Sequence, residues 1–70
     1  MAVIYVGNLD RRITEANVRS VFEIYGPVVG VKVTSGFAFV EMIDEGQAQK
    51  AIYDLNNQGS WVVRAIPTAA

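Results

Sequence analysis

The chain has 70 residues, of which 51% are hydrophobic, and a formal net charge of −1 at pH 7. This length allows one small domain with one core, and this hydrophobic content excludes an intrinsically disordered chain. The absence of cysteine and histidine, and of any apolar run of about 18 residues, excludes disulfides, thiolate metal sites and a membrane span.

A strand and a helix are predicted first. Val3-Ile4-Tyr5-Val6 is β-branched and aromatic, which predicts a strand that ends at Gly7-Asn8. Thr14 is a suitable N-cap for the helix that follows. Gly26-Pro27 predicts its end, with Gly26 as the C′ glycine. The apolar residues at helical spacing are Val18, Val21, Phe22 and Tyr25.

A β-hairpin is predicted in the middle of the chain. Thr34-Ser35-Gly36 leaves room only for a tight turn between a strand over Val28 to Val33 and a strand over Phe37 to Met42. The two strands must therefore be antiparallel. Simple alternation in the first of them places Val29, Val31 and Val33 on one face, and Val28, Gly30 and Lys32 on the other.

A second helix and a last strand complete the pattern. Asp44 and Gln47 are spaced as in a capping box. Asn56-Asn57-Gln58-Gly59 is predicted to be the loop before a strand from Trp61 to Ile66. The apolar stripe of the helix is Ala48, Ala51, Ile52 and Leu55.

The order β-α-β-β-α-β predicts an α+β, ferredoxin-like fold, in which two helices cover one face of a four-stranded antiparallel sheet. We expect residues 1–70 to form one domain, with a short flexible tail at 67–70. A domain of this size has nothing left to cover the second face of the sheet. That face is therefore the first place to look for function.

Strand three indicates which side chains reach the uncovered face. Glu41 would be costly to bury beneath the helices, so Phe37 and Phe39, which alternate with it, are predicted to be exposed. In strand one, Tyr5 is the better candidate for the same face. Lys32 and Arg64 would lie on the flanking strands, with Arg11 and Arg12 in the loop after strand one. The alternatives are an inverted sheet with a buried aromatic core and, for Trp61, base stacking in place of core packing.

Two motifs in these elements resemble those of the RNA recognition motif family, and the resemblance extends over essentially the whole chain. Ile4-Tyr5-Val6-Gly7-Asn8-Leu9 is similar to the family's strand-one hexamer, and Ser35-Gly36-Phe37-Ala38-Phe39-Val40-Glu41-Met42 to its strand-three octamer. Ile24-Tyr25-Gly26-Pro27 and the short hairpin loop resemble the domains of serine/arginine-rich splicing factors.

The resemblance implies an intracellular, nuclear protein that binds single-stranded RNA during RNA processing or splicing. Tyr5 and Phe39 would stack on successive bases, Phe37 would pack on a sugar or a neighbouring ring, and Asn8 would shape the end of strand one. The predicted RNA-binding residues are Tyr5, Phe37, Phe39, Lys32, Arg64, Arg11, Arg12 and Asn8. The sequence departs from the family at Ser35, where a cation is usual, at Met42, where an aromatic residue is usual, and in its short loops. We therefore expect weak binding of low selectivity, in the micromolar range or above.

Two other functions remain open at this point. A protein-interaction module could use the same apolar sheet face to bind a partner protein. An enzyme is disfavoured because no phosphate loop, metal-ligand cluster or nucleophile–base pair is present, although Arg11 or Arg12 could be placed in the role of the loop arginine of small acid-anhydride hydrolases. We expect no cofactor and no metal, and we expect the isolated domain to be a monomer.

Overall fold

The computed structural model describes residues 1–67. The elements are β1 (Ala2–Gly7), α1 (Glu15–Glu23), β2 (Val28–Thr34), β3 (Phe37–Met42), α2 (Glu45–Gln58) and β4 (Val62–Ile66). The strands form one antiparallel sheet in the order β2-β3-β1-β4, which confirms the predicted α+β, ferredoxin-like arrangement. In this described part of the chain, no helix is both long and apolar enough to cross a membrane. Of the predicted tail, residues 68–70 lie outside the described residues.

The core lies between the helices and one face of the sheet. Alternate residues of the two central strands point into it, and α1 and α2 supply the opposite wall. Because all of these side chains are apolar, the core itself contains no buried polar or charged residue among those described. Its fully buried members in the central strands are Ile4, Val6, Ala38, Val40 and Met42, and those in the helices include Val18, Phe22 and Ala51.

Both helices begin at the predicted N-caps. The Thr14 hydroxyl accepts a hydrogen bond from the Asn17 backbone N–H at 3.3 Å, and the Asn17 side chain accepts one from the Thr14 N–H at 3.1 Å, which completes a capping box. The Asp44 carboxylate accepts a hydrogen bond from the Gln47 N–H at 2.8 Å. Gln47 was predicted to return such a bond, but its side chain lies against Gly26 instead.

The prediction for Gly26 is wrong. Helix α1 ends at Glu23, and its C-cap, Ile24, has right-handed backbone angles. Among the described glycines only Gly36 has a positive φ, of 88°, so Gly26 does not adopt the left-handed conformation of a C′ glycine. A methyl group at Gly26 would overlap the Gln47 side chain. Gly26 is therefore suited to its position because the end of the Gln47 side chain occupies the space that a Cβ atom would fill.

Strand β2 contains a bulge that changes which residues face the core. Val28 pairs with Met42 and Gly30 pairs with Glu41, so Val29 is an extra residue in this strand. Val28 consequently packs on the core with Val31 and Val33, whereas Val29 is 50% exposed. The predicted placement of Val28 and Val29 on their respective faces is thus reversed, because one inserted residue shifts the alternation.

Helix α2 is longer than predicted and holds the edge of the sheet. It continues to Gln58, through most of the segment predicted to be a loop. The Asn56 side-chain amide donates to the Val63 carbonyl at 2.6 Å and accepts from the Val63 N–H at 2.9 Å, which satisfies the backbone groups of Val63 in this edge strand. Trp61 precedes this strand, is half-buried and packs against the core, as the favoured interpretation of this residue predicted.

Candidate nucleic-acid interface

The register of the sheet aligns four predicted site residues in one row across all four strands. Lys32 lies opposite Phe39, Phe39 opposite Tyr5, and Tyr5 opposite Arg64. Directly opposite residues of neighbouring strands point to the same side of a sheet. Since their sequence neighbours, among them Val40 and Ile4, are buried beneath the helices, this row lies on the uncovered side.

Two further rows flank this one, and together the three rows make up what we call the open face. One row consists of Thr34, Phe37, Gly7 and Val62, and the other of Gly30, Glu41, Val3 and Ile66. Among these twelve positions only Gly7 is buried. The prediction that Tyr5, Phe37, Phe39 and Glu41 share the exposed face agrees with this geometry, and the alternative of an inverted sheet does not.

The aromatic cluster, formed by Tyr5, Phe37 and Phe39, occupies the centre of the open face. The Tyr5 and Phe37 ring centroids lie 6.1 Å apart with planes inclined by 29°. Phe39 meets Tyr5 at 6.0 Å and Phe37 at 5.6 Å, both times edge to face. Edge-to-face and offset contacts are favourable between aromatic rings. The three half-buried rings therefore support one another.

Gly7 makes this arrangement of rings possible. A Cβ atom at Gly7 would lie 2.7 Å from the Tyr5 hydroxyl oxygen and 2.9 Å from Tyr5 Cε2. The Tyr5 ring thus lies across the backbone of Gly7, in the space that a side chain would fill, and extends towards Phe37. Sequence reasoning assigned Gly7 only to the end of a strand, although its place in the hexamer was a signal that it matters.

Half of the Lys and Arg side chains form ion pairs, and two of the remaining three lie on the open face. Within residues 1–67, three ion pairs join Arg12 to Asp10 at 3.5 Å, Arg19 to Glu23 at 3.8 Å and Lys50 to Asp54 at 3.4 Å. The other three cations, Arg11, Lys32 and Arg64, have no carboxylate within 4.0 Å in that part of the chain. Two of these unpaired cations lie at the ends of the central row. The net charge of −1 therefore does not describe the open face.

The loop after β1 holds the remaining predicted residues outside the three rows. Asn8 has a φ of 62°, and its side-chain amide donates to the Ser60 carbonyl at 2.8 Å. The Leu9 N–H donates to the Gly36 carbonyl at 3.0 Å, so the loop is attached to both neighbouring loops. Arg11 and Arg12 are exposed in the turn that follows, and Arg12 is paired with Asp10. Asn8 thus shapes the end of β1, as the resemblance implied.

The structure shows where the two residues that depart from the family's octamer pattern, Ser35 and Met42, are located. Ser35 and Gly36 form the two-residue loop of the β2–β3 hairpin, where the positive φ of Gly36 favours glycine. Ser35 is exposed there, so no cation extends from this loop. Met42 is fully buried and fills a core position with its flexible side chain. No group of three potential metal ligands occurs among the residues that the structure describes.

The family model described as "RNA recognition motif" matches residues 4–60. The serine/arginine-rich splicing factor RSZ23 of Oryza sativa subsp. japonica is 39% identical over 66 residues, which cover 90% of this chain and 33% of the relative. The protein RbpD of Nostoc sp. is 41% identical over 71 residues, covering 90% of this chain and 74% of the relative. The chain thus spans about a third of the length of the splicing factor that it matches.

Solved structures have the same fold. The crystal structure of RNA binding protein PG1 superposes with a TM-score of 0.92 at 32% identity and covers 100% of this chain and 99% of its own. The Sxl-lethal protein, solved as a complex with RNA, superposes with a TM-score of 0.85 at 21% identity, over 97% of this chain and 48% of its own. At the lower identity only the fold is comparable.

Proposed function

The chain belongs to the RNA recognition motif family, and from this premise we propose that its open face binds single-stranded RNA by stacking bases on the aromatic cluster. The observation that carries the proposal is the central row, in which Phe39 and Tyr5 lie between Lys32 and Arg64. A nucleotide chain combines flat bases with anionic phosphates, and this row offers rings in the middle and cations at both ends.

The cluster supports a division of roles among its rings. Tyr5 and Phe39 lie on neighbouring central strands with centroids 6.0 Å apart, so each can receive one base of a dinucleotide step. Phe37 is closer to the hairpin loop and is suited to contact a sugar or the adjacent ring. Stacking is worth about 1–3 kcal/mol per base and tolerates any base, because every base has a π-face.

Affinity should be low, and stacking by itself should discriminate little between bases. Only three Lys and Arg side chains lack an ion-pair partner within the described residues, and Ser35 stands where a further cation is usual. The short β2–β3 loop adds little contact area beyond the sheet. We propose dissociation constants in the micromolar range or weaker. The splicing-factor relatives support a role in RNA processing, and with it a nuclear location.

A chemical-shift titration of the whole chain with uridine pentamers tests the proposal. We expect the largest shifts at the backbone and ring resonances of Tyr5, Phe37 and Phe39, and we expect them to shrink as salt is added. Resonances of the α2 surface, such as those of Tyr53, should stay in place. Shifts confined to the helices, or none at millimolar RNA, would contradict the proposal.

The Lys32 and Arg64 side chains should each account for part of the salt dependence of the RNA affinity. Replacing either by alanine should reduce the slope of log affinity against log salt by about 0.7, the value for one phosphate contact on a single strand. Lys50→Ala, which removes a paired cation from α2, is the matched control and should leave the slope unchanged. Equal slopes for all three variants and the parent chain would show that phosphates are not bound at the row ends.

Gly7→Ala should weaken RNA binding without unfolding the domain. The added methyl group must displace the Tyr5 ring from its place beside Phe37, and we expect a loss of about fivefold in affinity, near the lower limit for one stacked base. Gly59→Ala, at a glycine whose Cβ would meet nothing within 4 Å, is the control. Titration calorimetry gives both affinities, and equal values would mean that the position of Tyr5 is unimportant.

A protein partner on the same face is the second candidate. It is favoured by apolar side chains that lie outside the aromatic cluster yet are exposed, namely Val29 at 50% and Val62 at 40%. Apolar surface of this kind is typical of protein interfaces as well. This candidate would be supported if RNA produced no shifts on the open face.

A further inference from the structure

Glu41 is an anionic side chain on the open face, the surface that we propose binds RNA, which is itself a polyanion. It lies on the open face two residues from Phe39, opposite Gly30 on one side and Val3 on the other. It is exposed, and within residues 1–67 it takes part in none of the side-chain hydrogen bonds or ion pairs of the domain. Such a carboxylate repels phosphate groups. Glu41 therefore opposes RNA binding unless its carboxylate accepts hydrogen bonds from a base.

The surroundings of Glu41 leave room for a base edge. A Cβ atom at Gly30 would meet no heavy atom within 4 Å, so the space above this position, beside Glu41, is open. Val3 and Ile66, which continue the row on β1 and β4, supply no competing charge. Phe39 and Glu41 are separated by two residues of extended chain, or about 6.6 Å, which is within the reach of a purine stacked on Phe39.

The chemistry of a carboxylate selects among the bases. Its two oxygens accept hydrogen bonds and cannot donate them. Guanine presents two adjacent donors, N1–H and the N2 amino group, on its Watson–Crick edge, whereas adenine and cytosine present one amino donor beside an acceptor nitrogen. Uracil presents a single N–H between two carbonyl oxygens, which a carboxylate would repel. We propose that Glu41 reads the base stacked on Phe39 and favours guanine there, an inference that rests on the proposed RNA-binding function.

Pentamers of uridine with guanosine, inosine or uridine at the centre provide the test. Inosine keeps the purine ring and the N1–H but lacks the amino group, so comparison with guanosine removes one hydrogen bond at constant stacking. We expect the guanosine pentamer to bind about tenfold more tightly than the inosine pentamer. In Glu41→Gln, which can accept only one of the two bonds, the ratio should fall below about twofold, and the all-uridine pentamer should bind more tightly because a negative charge is gone.

Two further variants distinguish recognition of guanine by Glu41 from the general effect of a negative charge on RNA binding. Glu45→Gln removes the same charge from the first turn of α2 and should preserve the preference for guanosine. Gly30→Leu places a side chain in the open space beside Glu41 and should abolish that preference while the all-uridine pentamer still binds.

Equal binding of guanosine and inosine pentamers by the parent chain, or an undiminished preference in Glu41→Gln, would overturn the inference. In either case binding of all pentamers would leave the proposed function intact. If no pentamer binds the parent chain, it is the proposed function that fails, and the role of Glu41 fails with it.

Discussion

Replacing Phe39 by alanine is expected to reduce the affinity for single-stranded RNA by roughly 10- to 100-fold, which corresponds to the loss of one stacked base. Phe39 is the ring on which the arrangement depends, because it meets both Tyr5 and Phe37 edge to face. Its removal also leaves those two rings free to rotate away from the geometry that a base requires. Titration calorimetry with the guanosine-containing pentamer measures the loss.

The same variant should remain folded. Phe39 is half-buried on the side of the sheet away from the helices, and its neighbours Ala38 and Val40, which do face the core, are unchanged. Tyr53→Ala is the control for removal of an aromatic side chain, since Tyr53 is 71% exposed on α2 and should not affect binding. Unfolding of Phe39→Ala would mean that the faces have been assigned the wrong way round. Affinity equal to that of the parent chain would show that RNA does not use this ring.

Replacing Phe22 by alanine should have the largest effect on stability. Phe22 is fully buried, and it heads the fully buried side chains in volume. Truncation of a buried phenylalanine costs about 3–5 kcal/mol, and a domain of this length has a total free energy of unfolding of about 4–10 kcal/mol. We therefore expect this variant to lose between about a third and all of that free energy of unfolding, as measured by urea denaturation followed by circular dichroism.

Phe37→Ala is the matched control, because it removes the same atoms from the opposite side of the sheet. It should shift the urea midpoint only slightly, since Phe37 keeps part of its surface in solvent in the folded state. A loss of under about 1 kcal/mol for Phe22→Ala, or similar losses for both variants, would contradict the assignment of the core to the helix-covered side.

Much of the fold and the centre of the candidate site could be predicted because β3 contains one residue that is costly to bury. Glu41 determines the direction of every side chain in that strand, and pairing then places Tyr5, Lys32 and Arg64 on the same side. The aromatic residues could therefore be placed from alternation alone. The roles proposed for them in RNA binding remain predictions.

The features that the sequence did not reveal depend on contacts between distant segments. The bulge at Val29 leaves no mark in a run of valines, because every alternation of that run is equally apolar. Gly26 and Gly7 are suited to their positions by the side chains of Gln47 and Tyr5, which only the folded chain brings there. Helix α2 extends through Asn56 although asparagine is a weak helix former, and the bonds to Val63 help to stabilise it there.

The Asn56–Val63 hydrogen bonds have a consequence for how copies of the domain behave when crowded together. An uncovered outer strand is a template on which a foreign strand can add, and the usual outcome is aggregation. Here the side chain of Asn56 occupies the backbone groups of Val63, while the bulge at Val29 distorts the other border of the sheet. Asn56→Ala should therefore promote association at high protein concentration, because it leaves the backbone groups of Val63 open to a foreign strand.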